Sequence, residues 1–346
     1  MIAAYVSGHG FGHATRTAEV LRVVREMRPD VPITVVTSAP ERLFTRAVPD
    51  VTYRQVDCDV GLVQKSALAI DEEATVARAL EFCATYPALV EQEAEWLGSV
   101  DAGAVLGDIP PVAFEASSEA GLTSVGLGNF SWDWIYRHLA QRHPALNEAA
   151  DQAARAYERS VLLLALPFAG DLSAFPWRDP IPLVARTPRV APEEARRRLG
   201  LAAQGPLVLV SFGGFGLELD RAAFGGSGFA VVFSDDLAPR LDAAGLGYED
   251  LVGAVDVVVS KPGYGIVADV AAARRRLVYT ERGDFPEYAI LEKEMPAYIP
   301  VAHVSNEDLL AGRIGPAVEE VLATAMPPAP DMSGATVAAR RLLELL

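Results

Sequence analysis

Two of the chain's five histidines lie in a glycine-rich stretch near its start, Ser7-Gly8-His9-Gly10-Phe11-Gly12-His13. The stretch follows a short apolar run that predicts a strand and precedes a pattern that predicts a helix from about Ala14. Its glycines allow a tight turn and let a ligand approach the backbone. The helix start offers unpaired N–H groups to an anion, and a histidine there can move a proton near neutral pH. The stretch therefore predicts a site for proton transfer beside a bound anion.

The two histidines have different expected roles. His13 is the better candidate for a general base, because it lies at the helix entry and faces the expected ligand cleft. His9 is expected to line the substrate site or to support the loop. In the alternative interpretation, either histidine only caps the helix or fills a turn.

Two strand–turn–helix units in the second half are typical of nucleotide sites. The strand Leu207–Ser211 leads into Phe212-Gly213-Gly214-Phe215-Gly216, whose backbone N–H groups could bind phosphate. A buried strand then leads into Lys261-Pro262-Gly263-Tyr264-Gly265 and a helix that carries Asp269 in its first turns. The Asp269 carboxylate could accept hydrogen bonds from two ribose hydroxyls; the alternative is that it only complements the helix dipole.

Further polar residues follow predicted strands and are expected at the same cleft. Asp108 precedes Pro110-Pro111 and could orient His13, bind an acceptor or cap a helix. Asp284 and Glu287 lie on a loop where they could hold sugar hydroxyls or belong to an exposed turn. An aromatic cluster is expected to wall an acceptor pocket, because tryptophan faces stack on sugar rings, with a packed helix start as the alternative. The cluster's candidate residues are Asn129, Trp132, Asp133 and Tyr136.

Apolar runs of strand length alternate with helical patterns in both halves, which predicts an α/β fold with parallel sheets. The predicted strands of the first half are Ile2–Val6, Ile33–Thr37, Thr52–Val56, Ala104–Leu106, Ser124–Leu127 and Val161–Leu166. Its predicted helices are Ala14–Met27, Ala74–Trp96, Val112–Ala120 and Trp132–Ser160. In the second half, strands are predicted at Leu207–Ser211, Phe229–Phe233, Val255–Val259 and Leu277–Tyr279, and helices at Glu193–Leu199, Ile266–Ala273 and Thr336–Leu346.

The domain organisation follows from this alternation and from the prolines. Residues 1–166 are predicted to form an acceptor-binding domain and residues 193–330 a nucleotide-sugar-binding domain. Residues 167–192 hold six prolines without a regular period and are predicted to be a linker. Residues 331–346 are expected to form a helix that packs back on the first domain. Ligands of two such open α/β domains bind in the cleft between them.

Composition narrows the possible partners. The 346 residues are 51% apolar and carry a net charge of −16, which disfavours nucleic acid and anionic lipid. Cys58 and Cys83 are too few for a disulfide framework, and no metal cluster is expected. No signal peptide or run long enough to span a membrane is evident, so the expected location is the cytoplasm. The sequence does not fix an oligomeric state, and a homodimer is one option.

Three rival motifs are disfavoured. The first loop is spaced G-x-G-x-G rather than G-x-G-x-x-G, and the second predicted strand lacks an acid at its tip, which argues against a dinucleotide cofactor. No Gly-Lys-Ser/Thr follows Gly12, which excludes a Walker A loop there. Asp57-Cys58-Asp59 is similar to a metal-binding D-x-D motif but lacks the surroundings of that motif.

The order of these motifs resembles the two-domain GT-B glycosyltransferases, particularly the group of the peptidoglycan N-acetylglucosaminyltransferase. A closer resemblance is to the glycosyltransferase-like N-terminal half of plant L-arabinokinase and its stand-alone bacterial relatives. The resemblance covers nearly the whole chain. The stretches that carry it are 7–16, 107–113, 129–136, Pro182-Leu183-Val184-Ala185-Arg186 and Lys261-Pro262-Gly263-Tyr264-Gly265.

The resemblance implies a GT-B fold of two Rossmann-like domains and transfer of a sugar from a nucleoside diphosphate sugar, with UDP-sugar favoured. Transfer to a hydroxyl acceptor would be an inverting displacement without a metal or other cofactor. Its implied catalytic residues are His13 and Asp108, and its implied acceptor residues are His9, Asn129, Trp132, Asp133 and Tyr136. Its implied donor residues are Gly10, Gly12, Ser211, Gly213, Gly214, Phe215, Lys261, Gly263, Tyr264, Gly265, Asp269, Asp284 and Glu287.

Two departures from the family pattern bear on the donor site. The peptidoglycan enzyme group has glutamate where this chain has Asp269. The segment between Gly216 and Asp256 is also shorter than usual, so the sequence does not identify the nucleobase of the donor. The sequence also lacks the glycine–serine phosphate loop of sugar kinases. Two alternative functions on this scaffold remain: a nucleotide-sugar epimerase or hydrolase, and a non-catalytic nucleotide-sugar sensor.

Overall fold

The computed structural model describes residues 1–202, 204–213 and 217–346. The first half contributes the strands β1 (Ile2–Val6), β2 (Ile33–Thr37), β3 (Thr52–Gln55), β4 (Gln64–Ser66), β5 (Ala69–Ile70), β6 (Ala104–Asp108), β7 (Ser124–Gly128), β8 (Leu162–Ala165) and β9 (Arg178–Pro180). The second half contributes β10 (Leu207–Val210), β11 (Ala230–Phe233), β12 (Val257–Ser260), β13 (Arg276–Tyr279) and β14 (Val301–His303).

The helices alternate with these strands. Those of the first half are α1 (Phe11–Met27), α2 (Arg42–Thr45), α3 (Glu72–Ser99), α4 (Pro111–Glu119), α5 (Trp132–Ala140) and α6 (Leu146–Tyr157). Those of the second half are α7 (Pro192–Leu199), α8 (Ser234–Leu241), α9 (Tyr248–Ala254), α10 (Tyr264–Ala272), α11 (Glu287–Glu294), α12 (Asn306–Leu310), α13 (Gly315–Ala323) and α14 (Gly334–Leu343). Short 3₁₀ helices cover Arg221–Gly226 and Met295–Ala297.

Two parallel sheets organise the chain. The first has the order β3-β2-β1-β6-β7-β8-β9, and the second has the order β11-β10-β12-β13-β14. We call the part built on the first sheet the N-terminal lobe and the part built on the second the C-terminal lobe. Strands such as β1 are buried along their whole length because helices cover both faces of a parallel sheet, which explains their continuous apolar sequences.

The lobes are in direct contact around the start of α1. α1 packs on α10 of the C-terminal lobe and on α14, so the last helix returns to the N-terminal lobe. One cluster of buried apolar side chains runs from β1 and α1 into β12 and α10. The tip of the β4–β5 hairpin also crosses the cleft, since Ala67 is buried in an apolar cluster of the C-terminal lobe.

Three predicted boundaries are wrong. α1 begins at Phe11, so His13 lies within its first turn rather than in the loop before it. The long helix predicted over Trp132–Ser160 is broken into α5 and α6, with Pro144 between them, because proline disfavours continuation of a helix. The predicted linker begins too early, because β9 pairs with β8 and is the seventh strand of the first sheet.

Candidate functional site

His13 and Asp108 meet at the wall of a cavity between the lobes. β1 and β6 are neighbouring strands with Val6 opposite Asp108, so the start of α1 and the end of β6 share one edge of the sheet. Nδ1 of His13 lies 2.8 Å from Oδ1 of Asp108. His13 is 6% exposed and Asp108 is fully buried. Nδ1 also lies 3.0 Å from Nη2 of Arg16, which can only donate. In the tautomer whose Nδ1–H donates a hydrogen bond to Asp108, Nε2 is the basic nitrogen of the ring, as a proton acceptor requires.

Arg16 contacts both oxygens of the Asp108 carboxylate. Its Nε lies 2.8 Å from Oδ2 and its Nη2 lies 2.5 Å from Oδ1, and the Thr17 hydroxyl donates to Oδ2 at 2.6 Å. Burial alone would raise the pKa of Asp108, but the charges and hydrogen bonds of Arg16 and His13 outweigh it and lower that pKa to about 2. Asp108 is therefore ionised at neutral pH.

Arg16 had no predicted role of its own. A signal was present, because Arg16 follows His13 by three residues and so shares its face of α1. That spacing alone does not reveal the partner, since Asp108 is 92 residues away in sequence.

The start of α10 forms the opposite wall. Gly263 precedes α10, and no side chain among the described residues caps this helix, so its first N–H groups point towards the cavity. The helix starts of the two lobes come very close: a Cβ added to Gly265 would lie 3.1 Å from the Cα of Gly12. A Cβ at position 265 would therefore make a tight contact that glycine avoids, and the positive ends of both helix dipoles favour an anion there.

Lys261 lies between this helix start and the hairpin of the N-terminal lobe. Its Nζ donates to the carbonyl oxygen of Ala67 at 2.8 Å and lies 3.4 Å from Oε1 of Gln64. Burial and the neighbouring positive charge of Arg282 lower the pKa of Lys261 to about 7. Its charge therefore changes within the physiological pH range.

Tyr264, predicted to bind the donor, lines the cavity and also contacts the segment between the lobes. Its hydroxyl is held by the backbone of Val184, accepting from the amide nitrogen at 2.9 Å and lying 3.2 Å from the carbonyl oxygen. The Arg16 guanidinium lies over its ring, 5.0 Å from the centroid. The buried ring thus connects α10 to the segment between the lobes.

Asp269 lines the same cavity farther along α10 and is 5% exposed. Its Oδ2 accepts a short hydrogen bond from Nη2 of Arg186, whose Nη1 lies 3.7 Å from Oε2 of Glu249. Burial raises the pKa of Asp269 despite the opposing charge of Arg186. Arg186 had no predicted role, because it lies in the segment between the lobes and approaches Asp269 only through tertiary folding.

The glycine loop after β10 is described in part. Ser211 and Gly213 line the cavity, and Oγ of Ser211 lies 2.7 Å from the hydroxyl of Tyr248. Gly214 and Phe215, also predicted to bind the donor, lie outside the described residues.

His9 and the first glycines lie at the cavity as predicted. His9, Gly10 and Gly12 contribute to its lining, and Gly10 has φ 76°, a backbone conformation that favours glycine. Nδ1 of His9 accepts from the amide nitrogen of Leu62 at 3.3 Å. Burial and the charges of Arg282, His13 and Lys261 lower the pKa of His9 to about 3, so its ring is neutral at physiological pH.

Asn129 and Glu287 line the cavity from opposite lobes and contact each other. Nδ2 of Asn129 donates to Oε1 of Glu287 at 2.7 Å, and both side chains are buried. The structure therefore brings together most of the predicted site residues from both domains.

Five of the predicted site residues that the structure describes do not line this cavity: Asp108, Trp132, Asp133, Tyr136 and Asp284. Trp132 is fully buried behind it, donating from Nε1 to Oδ2 of Asp59 at 2.8 Å. Tyr136 stacks on Trp132 with ring centroids 6.0 Å apart, and Asp133 is buried in the same helix start. The aromatic cluster thus supports the wall from inside, with Trp132 5.3 Å from the His9 ring. Asp284 lies on the half-exposed surface, where it pairs with His138 and Arg142 across the lobes.

The cavity has a volume of about 830 Å³, enough for a ligand larger than a nucleotide base. Within residues 1–202, 204–213 and 217–346, no group of three or more His, Cys, Asp or Glu is arranged to hold a metal ion. None of the helices in this part of the chain combines the length and apolar character needed to cross a membrane.

Comparison with known proteins identifies a curated relative. L-arabinokinase of Arabidopsis thaliana is 32% identical over 356 residues, which include 99% of this chain. The chain spans about a third of the length of that relative, 34%. No family model matches the chain.

Solved structures confirm the predicted fold class. A UDP-glucosyltransferase from Polygonum tinctorium is 13% identical with a TM-score of 0.58, over 99% of this chain and 92% of that one. The glycosyltransferase VinC, solved in complex with dTDP, is 14% identical with a TM-score of 0.55, over 99% of this chain and 94% of that one. The chain therefore has the GT-B fold, with two Rossmann-like domains.

Proposed function

We propose that this chain is a glycosyltransferase that moves a sugar from a nucleoside diphosphate sugar, with UDP-sugar favoured, to a hydroxyl acceptor. The whole-chain similarity to L-arabinokinase and the GT-B fold support the class of protein. The relative that is named as a kinase is about three times as long as this chain. No residue described in the cavity indicates a kinase reaction. The reaction itself is supported by the arrangement of the residues in the cavity.

One observation carries the proposal: a buried His13–Asp108 pair lies across the cavity from a helix start that no described side chain caps, with a buried carboxylate farther along the same helix. The α10 N–H groups and Lys261 would hold the diphosphate, and Asp269 would accept from ribose hydroxyls while Arg186 balances its charge. These groups would place the donor along the C-terminal wall, with its sugar at the N-terminal wall. His9 and the Asn129 side chain would then border the sugar and the acceptor.

The proposed reaction is a single displacement without a metal. Nε2 of His13 takes the proton of the acceptor hydroxyl as its oxygen bonds to the anomeric carbon. The bond from that carbon to the diphosphate oxygen breaks, and the electron pair leaves with the nucleoside diphosphate. The α10 N–H groups and protonated Lys261 stabilise the leaving negative charge, while Asp108 stabilises the imidazolium. Attack opposite the leaving group inverts the anomeric configuration.

A binding screen followed by a turnover assay tests this function. UDP, GDP, dTDP and ADP are first compared by thermal unfolding, where a ligand at 100 times its Kd stabilises by about 2.7 kcal/mol. Sugar nucleotides of the selected base are then incubated with a panel of hydroxyl acceptors. We expect donor consumption to require an acceptor and the NMR coupling constants of the product to show inversion. Consumption without an acceptor would indicate a hydrolase or epimerase, and binding without turnover would indicate a sensor.

A further inference from the structure

A continuous line of buried side chains crosses the cleft beside the proposed base. Nη1 of Arg16 donates to Oδ1 of Asn129 at 2.8 Å, and Nδ2 of Asn129 donates to Oε1 of Glu287 at 2.7 Å. Arg16 is 3% exposed, Asn129 is fully buried and Glu287 is 3% exposed. Arg16 and Asn129 belong to the N-terminal lobe and Glu287 to the C-terminal lobe, so the Asn129 amide joins the two.

Each end of this line reaches one part of the proposed site. At the N-terminal end, Arg16 holds both oxygens of Asp108, the carboxylate that contacts His13. At the C-terminal end, Oε2 of Glu287 accepts from Nη1 of Arg282 at 2.8 Å. The same Nη1 lies 3.3 Å from the carbonyl oxygen of Pro262, next to the start of α10. The line therefore connects the proposed diphosphate wall to the proposed base.

We infer that Arg16, Asn129 and Glu287 are positioning residues that make the orientation of His13 depend on docking of the C-terminal lobe. This inference rests on the proposed function and deepens it. The buried Asn129 amide has two acceptors, Oε1 of Glu287 at 2.7 Å and the carbonyl oxygen of Phe168 at 3.5 Å, so without Glu287 only the long contact remains and the donor is poorly satisfied. When the lobes separate, the Asn129–Glu287 bond is lost, the Asn129 side chain is free to turn, and its Oδ1 no longer holds Nη1 of Arg16 in a fixed position beside Asp108.

The consequence for the reaction is a base that is aligned only in the closed cleft. A base aligned in the open cleft would instead activate water and waste the donor. Closure of a cleft that completes a catalytic arrangement is a general way to exclude that side reaction. In the alternative interpretation, these contacts only hold the lobes together. Breaking them would then lower the stability of the protein and leave the orientation of His13 unchanged.

A reciprocal exchange of the two central side chains separates these interpretations. N129D keeps the acceptor for Arg16 but sets two carboxylates against each other. E287Q removes the charge that Arg282 contacts and leaves a neutral amide opposite Asn129. In the double variant N129D/E287Q, the new carboxylate can accept from Arg16 and from the new amide, whose oxygen can still accept from Arg282. Every hydrogen bond of the line is thereby restored. N147D, on the exposed part of α6, is the matched control.

In turnover, we expect N129D to lower kcat by about 10²-fold, the cost of misplacing a reacting group, with a much smaller change in donor KM. The double variant should recover at least about tenfold of that loss, within the coupling range of neighbours in one network. N147D should match the unmodified protein. If the fold loss of kcat in the double variant equals the product of the losses in the two single variants, the inference is overturned.

A second measurement needs neither donor nor acceptor. The ¹⁵N NMR signals of the His13 ring, assigned by comparison with H13A, report its tautomer and hydrogen bonding in the ligand-free protein. We expect N129D and E287Q to shift these signals and the double variant to restore them. His13 signals that stay unchanged in both single variants would contradict the inference, even if the protein transfers no sugar. If the signals change and recover as expected but no sugar nucleotide is turned over, the proposed function is wrong. The inference that Arg16, Asn129 and Glu287 position His13 then still holds.

Discussion

The two walls of the cleft are built differently. On the N-terminal wall, the polar side chains satisfy one another: Asp108 accepts from Arg16 and Thr17 and contacts His13. On the C-terminal wall, much of the hydrogen-bonding capacity belongs to the backbone at the start of α10, which no described side chain caps. The difference fits the proposed function, in which the N-terminal wall transfers a proton and the C-terminal wall binds an anion.

The largest expected effect concerns the N-terminal wall. H13A should lower turnover by about 10²–10⁴-fold, the usual contribution of a positioned base, while UDP affinity stays nearly the same. Steady-state kinetics and calorimetric titration with UDP measure the two quantities separately. H303A, on β14 away from the cavity, is the control. Unchanged turnover in H13A would remove this residue from the reaction.

Asp108 should make this wall sensitive to acid. Its pKa of about 2 in the folded protein lies below the usual value of about 3.9, so the stabilisation is present above pH 4 and is lost as the pH falls towards 2. The contribution amounts to about 2–3 kcal/mol. The difference in unfolding free energy between the unmodified protein and D108N should therefore shrink below pH 4. Urea unfolding at several pH values measures it, and a difference independent of pH would contradict this assignment.

Asp269 tests the opposite wall. D269A should raise the Kd for UDP by about 10–100-fold, because hydrogen bonds to a charged group contribute about 1.5–3 kcal/mol. The effect should appear in binding and in donor KM and much less in kcat, the reverse of H13A. Calorimetric titration gives the Kd. Equal UDP affinity in the two proteins would place the ribose elsewhere.

Lys261 gives this wall a dependence on pH. Because its pKa is about 7, the lysine loses its charge as the pH rises, and UDP binding should weaken by up to about tenfold per unit above pH 7. The second ionisation of a phosphate, near pH 6, is complete in this range and does not contribute. K261M should bind UDP more weakly and with a flatter profile. Parallel profiles for the two proteins would show that Lys261 does not contact the diphosphate.

The smallest effect is expected for Asp284, which pairs with His138 and Arg142 outside the cavity. Ion pairs on the surface contribute at most about 1 kcal/mol, and D284A should change the Kd for UDP by less than about twofold. Competition binding against the unmodified protein resolves such a difference. A loss as large as that of D269A would return Asp284 to the donor site.

The sequence was sufficient for features that depend on strand ends. The carboxyl ends of parallel strands share one sheet edge, so His13, Asp108 and the turn before α10 could be expected near one cleft. The order of motifs was also enough to predict the GT-B fold. The break between α5 and α6 was missed because the helical pattern over Trp132–Ser160 was given more weight than the Pro144 within it.

Contacts between distant segments could not be predicted in the same way. The pairing of Arg186 with Asp269 depends on where the segment between the lobes passes, and the Asn129–Glu287 bond depends on how the lobes dock. The orientation of Trp132 was also ambiguous, because an aromatic residue at a helix start suits a ligand wall and a packed interior equally well. Burial of its ring and the bond to Asp59 resolve that ambiguity in favour of packing.

A crystal structure of the protein with UDP tests the central claim most directly. The account predicts that the diphosphate lies within hydrogen-bond distance of the N–H groups of Gly263 to Gly265, with the ribose hydroxyls at Asp269. The terminal phosphate should then point across the cleft towards His13. UDP bound elsewhere on the protein, or bound with its diphosphate away from the start of α10, would contradict the account.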